Sequence, residues 1–299
     1  MDKVAREKGK DHWNSYLLTD VLHLNLRKAS APTITYLKQK KYDVTLANKG
    51  RGGELSDLVE FNYYLLSVDD KTGIVYRVED KGLVPWVILS DGNGDQVSPF
   101  KGEWMTVKDG NLWVGGHGVT YWGKNNERND NNMWVKVITK DGAKASIDWS
   151  KNYAKVKEAV GIKDPGYITY EAVQWVPQLR KWFMIPRKES TVKYSDEIDE
   201  KAGSNLFIMA SENFKEITVK RIGKKVPELG VSAFQIIPGT SNLMIALIKS
   251  KEVNGKSEGT FLSIYDWNSE RVFLEDYRLP GDMKYEGLHI KPAATADSC

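Results

Sequence analysis

The chain has 299 residues, 43 basic against 40 acidic for a net charge of +3, with 41% hydrophobic and 28% charged residues. That is long enough for a substantial core, too apolar for disorder, and free of the concentrated basic stripe of a nucleic-acid binder. No apolar run approaches the about 18 residues of a membrane-spanning helix, the charged start MDKVAREKGK is unlike a secretory leader, and a lone cysteine, Cys299, excludes an internal disulfide framework or a multi-cysteine metal site.

In chain order, the pattern predicts three N-terminal strands at 21–26, 33–37 and 43–47, then a four-stranded unit over 50–89. Within that unit, short runs rich in Val, Ile, Leu and Tyr at 56–61, 64–69, 74–79 and 83–89 are separated by Asn62-Tyr63, Lys71-Thr72-Gly73 and Asp80-Lys81-Gly82 turns, which reads as an antiparallel meander. A second unit opens with GEWMTVKDGNLWVGG, strands 104–108 and 111–115 around the Asp109-Gly110 turn, and regains a strand at 133–139 after an Asn-rich loop. Residues 150–161 predict a helix inserted between sheets, with Ser150 as N-cap, Tyr153, Val156 and Val160 on one face and Gly161 as stop.

A third unit opens with YEAVQWVPQLRKWFMIPR and closes through 205–210 and 217–222, around the polar loop KESTVKYSDEIDEKAGS. The fourth opens at Val231, with strands to follow at 260–266 and 271–277, and a fifth opens at Tyr285 with YEGLHIKP as a single strand. One strand cannot stand as a sheet, and pairing it with the N-terminal strands removes the exposed edges. The expectation is an all-β fold, a five-bladed β-propeller in one domain over 1–299, with 290–299 as a flexible tail.

Aligned, the five openings place an oxygen-bearing residue at one position: Ser56, Glu103, Glu171, Ser232 and Glu286. Innermost propeller strands line a central channel, so these predict a ring of three carboxylates and two serines. Three glutamates repel unless a cation sits among them, and flexible hard-oxygen coordination suits Ca²⁺. For any one of them, a solvated strand end is the commoner use.

The motifs KGRGGELSDL, LLSVDDKTG, VPWVILSDGNGD, GEWMTVKDG, PGYITYEAVQW, KWFMIPRK and KYEGLHI, from about Trp13 to Leu288, resemble the calcium-activated nucleotidase family of soluble apyrases. The resemblance implies a five-bladed propeller with Ca²⁺ in the central tunnel, bound by Ser56, Glu103, Glu171, Ser232 and Glu286. It implies hydrolysis of nucleoside tri- and diphosphates (ATP, ADP, UDP, GDP) to the monophosphate and phosphate, secretion, an anti-platelet role in saliva, and a homodimer, with no nucleic-acid or membrane partner. The family also has an Ala-Asp-Leu-Asp-like strand before a helix that contains the first Trp. Here the chain starts Met1-Asp2-Lys3, leaving Asp2 as the counterpart of the second Asp and a candidate catalytic carboxylate.

No P-loop occurs, so phosphate must be held by metal and cationic side chains. Arg51 and Arg187 are the candidate clamps, because guanidinium meets phosphate oxygens bidentately; a surface ion pair is the bland alternative for each. Asp69 and Asp70 are turn caps or carboxylates that orient an attacking water, and Asp70 stands as the catalytic candidate. Asp91-Gly92-Asn93-Gly94-Asp95 resembles a calcium loop but lacks the acidic twelfth position, so it reads as a turn. His12, His23, His117 and His289 show no metal spacing and read as structural or surface residues. Rival functions are a calcium-centred lactonase and a non-catalytic binding propeller.

Overall fold

A computed structural model describes residues 11–24, 32–123, 127–241, 243–253 and 256–292. The N-terminal region is one long antiparallel hairpin of β1 (Trp13–His23) and β2 (Thr33–Val44) rather than three strands, and Trp13, expected in a helix, opens β1. The first blade is β3 (Leu55–Phe61), β4 (Tyr64–Asp69), β5 (Ile74–Glu79) and β6 (Gly82–Ile88), paired in that order. Its first turn places Asn62 and Tyr63 at φ +49° and +69°, the paired left-handed residues that a tight hairpin requires.

The second blade pairs β7 (Trp104–Lys108) and β8 (Asn111–Gly115) with two later strands. The loop predicted between them carries a small hairpin of β9 (Tyr121–Trp122) and β10 (Arg128–Asn129), after which β11 (Trp134–Ile138) and β12 (Lys144–Asp148) complete the sheet. Helix α1 (Ser150–Val160) follows and ends at Gly161 in the left-handed region, φ +83°. Ser150 is its first residue and not its cap; Trp149 holds the cap position, and Asp148 Oδ1 accepts from Ser150 N at 2.8 Å.

The third blade is β13 (Tyr167–Val176), β14 (Lys181–Ser190), β15 (Leu206–Ser211) and β16 (Ile217–Arg221), with a short helix α2 (Asp196–Glu200) inside the predicted polar loop. The fourth is β17 (Leu229–Ile236), β18 (Met244–Val253), β19 (Lys256–Asp266) and β20 (Arg271–Arg278).

The arrangement is that of a β-propeller with four four-stranded sheets, not five. Outside the four sheets lie the β1–β2 hairpin and an extended segment, 285–290, which belongs to no strand, so the predicted ladder between C- and N-terminal strands is not formed among the described residues. Side chains join the two instead: Gln39 Nε2 donates to Tyr285 Oη at 2.7 Å, and Leu18, Leu22 and Ile34 share an apolar cluster with Tyr285, Leu288 and Ile290.

Apolar clusters fill the gaps between successive sheets. The largest joins blades two and three around Trp104, Trp149, Trp175 and Trp182, with Tyr153 and Val156 of α1 buried in it. Polar bonds join the innermost segments one to the next. Asp57 Oδ2 accepts from Met105 N at 2.7 Å, Thr106 Oγ1 accepts from Trp175 N at 3.0 Å, and Gln174 Nε2 donates to Phe234 O at 2.8 Å. Gln235 Oε1 then accepts from Ile290 N, and Asp57 N donates to Glu286 O at 3.1 Å. Each innermost segment is thus fixed to its neighbour where it passes the centre.

Candidate active site

Three of the five aligned oxygen-bearing residues sit at interruptions of a ladder. The register of β3 on β4 shifts just after Ser56, which itself pairs with Val68, that of β13 on β14 shifts on both sides of Tyr170, the second shift spanning Glu171, and that of β17 on β18 shifts across Ser232. A bulge leaves its residue, here Glu171 and Ser232, without a cross-strand partner and re-aims its side chain. Glu103 lies just before β7 with its N–H on Gly115 O at 2.8 Å, and Glu286 lies on the unpaired segment.

The structure brings all five together. Ser56 Oγ is 3.4 Å from Oε2 of both Glu103 and Glu286. His117 Nε2 stands 3.3 Å from Glu103 Oε1 and 3.1 Å from Glu171 Oε1. Arg187 Nη1 contacts Glu171 Oε2 and Ser232 Oγ at 2.8 Å and Ser250 Oγ at 3.0 Å, while Nη2 reaches Glu252 Oε2 at 2.7 Å. All of the five except Glu286 are buried, Ser232 completely. The glutamates and Arg187 line a cavity of about 2300 Å³ together with Arg51, Asp70, Lys71, Lys101, Lys284 and aromatic residues of the 117–132 loop.

Cations interleave with the carboxylates. Lys101 bonds Glu103 and lies 3.2 Å from Asp70; Lys284 lies 2.5 Å from Glu286 and 3.4 Å from Glu252. Burial would lower both lysines, but Glu103 and Asp70 hold Lys101, and Glu286 and Glu252 hold Lys284, well above the usual lysine range. Burial would raise Glu171, yet Arg187 and His117 hold it far below the usual carboxylate range. At Glu286 burial prevails, helped by Glu171 and Glu103 against Lys284, and the carboxyl is pushed up to about 7. Burial likewise pushes Asp57 up to about 8 against its bonds from Met105 and Leu58.

The two aspartates of the first blade separate cleanly. Asp69 caps its turn, accepting from Gly53 N and Lys71 N at 2.9 Å each. Asp70 faces the cavity; Lys71 and Lys101 hold one of its oxygens, and the other, Oδ1, is buried with no hydrogen-bond partner. Burial would raise Asp70, but Lys101 and Lys71 bring it below its ordinary value. Arg51, half-exposed at the cavity, makes a bidentate pair with Glu54 at 2.7 and 2.5 Å. Asp2 lies outside the described residues. The 91–95 turn is filled by a protein cation: Lys136 Nζ bonds Gly92 O and Ser146 Oγ, and Asn131 holds Asp91 at 3.1 Å.

Sequence reasoning missed His117, which it read as a structural or surface residue; Glu103, His117 and Glu171 bring ligand atoms within 4.8 Å of one another, a group able to hold a metal. It also missed Lys101, Lys284 and Glu252. Lys101 and Lys284 each stand two residues before a ring glutamate, a repeat visible in KGE and KYE. The donor set of three carboxylates and two hydroxyls fits a hard cation such as Ca²⁺, whereas imidazole is not an oxygen ligand and serves better as a hydrogen-bond donor beside it.

Residues 1–291 match the apyrase family. The mouse (Mus musculus) soluble calcium-activated nucleotidase 1 is 39% identical over 97% of this chain and 72% of its own length. An apyrase of Caenorhabditis elegans is 42% identical over 85% of this chain and 73% of its own, and an apyrase of the bed bug Cimex lectularius is 36% identical over 96% and 79%. Among solved structures, the WD40 domain of Neurospora crassa Pan2 aligns with a TM-score of 0.40 at 9% identity, over 80% of this chain and 55% of that one. Matched by the family over nearly its whole length and more than a third identical to these relatives, the chain belongs to the apyrase family and is a nucleotide-hydrolysing enzyme.

Proposed function

We propose that the protein is a calcium-dependent apyrase that releases phosphate from nucleoside tri- and diphosphates, ATP, ADP, UDP and GDP among them, and works outside the cell. The observation that carries it is the convergence of Ser56, Glu103, Glu171, Ser232 and Glu286, from five successive segments, beside a cavity of about 2300 Å³ lined with cations. Those five would hold Ca²⁺, which supplies positive charge to the phosphate oxygens when bound. The name of the mouse relative, which includes calcium activation, supports the metal.

Arg51 and Arg187 hold the terminal phosphate in this reading. Arg51 exchanges its carboxylate partner for phosphate oxygens; Arg187, held by Glu171 and Glu252, offers a fixed charge that needs no reorganisation as the reaction proceeds. Asp70 orients the attacking water through Oδ1, the oxygen left without a partner. Water adds to phosphorus in line with the departing nucleotide oxygen, giving inorganic phosphate and the shortened nucleotide. The 1–299 chain acts as one domain, and the β1–β2 hairpin with segment 285–290 closes the ring between blades four and one, a reading supported by Asp57 N on Glu286 O and by apolar side chains of both packed beside blade four.

The test is phosphate release from ATP, ADP, UDP and GDP in millimolar calcium and again in chelator. Release that stops in chelator and returns with calcium is the expected result. Release indifferent to chelator would sink the calcium reading, and calcium-dependent nucleotide binding without release would favour a binding role.

A further inference from the structure

Glu286 differs from its four partners in the ring. Ser56, Glu171 and Ser232 lie within strands, and Glu103 abuts one, whereas the segment bearing Glu286 has no ladder among the described residues. A carboxylate on such a segment would wander unless something else fixed the backbone on both sides of it.

Two side chains of the fourth blade do so. On the N-terminal side stands Thr260, 1% exposed in β19. Its hydroxyl donates to Met283 O at 2.8 Å and accepts from Tyr285 N at 2.9 Å, fixing the two peptides that flank Lys284. A hydroxyl has one proton to give and lone pairs to receive, so Thr260 uses both capacities on this one turn of chain. On the C-terminal side, Gln235 at the end of β17 accepts from Ile290 N through Oε1 and approaches His289 Nδ1 at 3.3 Å through Nε2. Between them, Glu286 O receives Asp57 N at 3.1 Å, and Lys284, set by the Thr260 turn, reaches Glu286 Oε1 at 2.5 Å.

We infer that Thr260 and Gln235 are positioning residues for Glu286, replacing the absent strand ladder and setting how tightly the central ring binds calcium. This rests on the ring being the calcium site. Neither residue is among the five oxygen-bearing ring residues, so each acts on the metal only through the segment. Partners of metal ligands that fix their orientation are worth roughly ten- to a hundredfold in metal affinity.

The experiment titrates the full-length protein with calcium chloride alone by calorimetry, and separately records the melting temperature in chelator. Thr260→Val keeps the shape and removes both hydrogen bonds; Thr260→Ser restores the hydroxyl; Gln235→Met keeps the length without the amide. The expectation is calcium affinity about tenfold weaker in Thr260→Val and Gln235→Met and near-parental in Thr260→Ser. Glu286→Gln serves as the reference. Unchanged affinity in Thr260→Val and Gln235→Met beside a weakened Glu286→Gln overturns the positioning role alone. A lower melting temperature in chelator with unchanged affinity does the same, since that is what a structural bond produces. Unchanged affinity in Glu286→Gln removes the ring as the calcium site and the proposal with it. If Thr260→Val does not fold, Gln235→Met, altered at a half-buried position, decides between these outcomes.

Discussion

The interface between blades two and three and the junction of the β1–β2 hairpin with segment 285–290 are held by different means. The first is a dry aromatic core: Trp149 stands 4.8 Å from Trp182, 5.2 Å from Phe214 and 5.7 Å from both Trp104 and Tyr153, centroid to centroid, and is 3% exposed. At that junction half-buried Leu18, Leu22 and Ile34 pack with Tyr285, Leu288 and Ile290 against blade four, and the segment is held by a few hydrogen bonds to Gln39, Gln235 and Thr260. Where a ladder is missing, a few hydrogen bonds placed on the backbone beside Glu286 take its place.

The contrast predicts unequal losses. Trp149→Ala should cost about 3–5 kcal/mol by urea unfolding, the usual loss for a buried Trp. Leu22→Ala, half-buried, should cost only about 1 kcal/mol, since it gives up part of a full transfer energy. Equal losses would mean that the two interfaces do not differ as described.

Next in size is Glu171→Gln, which removes one ring charge and leaves Arg187 with one carboxylate fewer. Calcium affinity should fall at least about tenfold, or ~1.4 kcal/mol, with the β fold retained by circular dichroism. Unaltered affinity would take Glu171 off the ring. A smaller effect belongs to Tyr285→Phe, which deletes the bond from Gln39. About 0.5–1 kcal/mol of stability should go, and the amides of 285–290 should exchange with deuterium faster while those of β13 do not change.

A separate, pH-dependent effect lies on the ladder-held side, at Lys136. Burial lowers its pKa from the ordinary lysine value to about 8, with Asp91 and Asp95 opposing. The unfolded chain therefore binds the proton more tightly, so between about 8 and 10.5 stability rises with pH and below 8 the cost is fully present. Subtracting the pH–stability curve of Lys136→Met from that of the parent should leave this rise; a flat difference would place Lys136 in an ordinary solvated setting.

Most strands of the four complete blades were legible in the sequence, because alternating β-branched and aromatic runs between Gly, Asp and Asn turns carry a local signal; β12, whose KASID is mostly polar or small, was not. The ring was legible too, since its members head each repeat. The β1 strand was not: WNSYLLTDVLH gives its side to a half-exposed hairpin whose burial pattern does not alternate cleanly. Nor was the state of segment 285–290, whose YEGLHI reads as a strand and lacks only a neighbour with free N–H and C=O groups in register. His117 escaped because its partners, Glu103 and Glu171, are 14 and 54 positions away and no short spacing links them. Arg187 read as a reaching cation because it ends an apolar run, yet it is buried among Glu171, Ser232, Ser250 and Glu252, a surrounding that only the neighbouring blade provides.

The bulges at Glu171 and Ser232 bear on how such a fold can diverge. Along a regular strand, inward and outward positions alternate strictly, so inserting or shifting one residue turns every later side chain over. A residue already out of the ladder is exempt from that bookkeeping, and a hydroxymethyl group in β17 or a propanoate in β13 occupies the same station while the flanking apolar residues keep their burial. Ring side chains and blade packing can thereby change separately, the one exchanged without refolding the other.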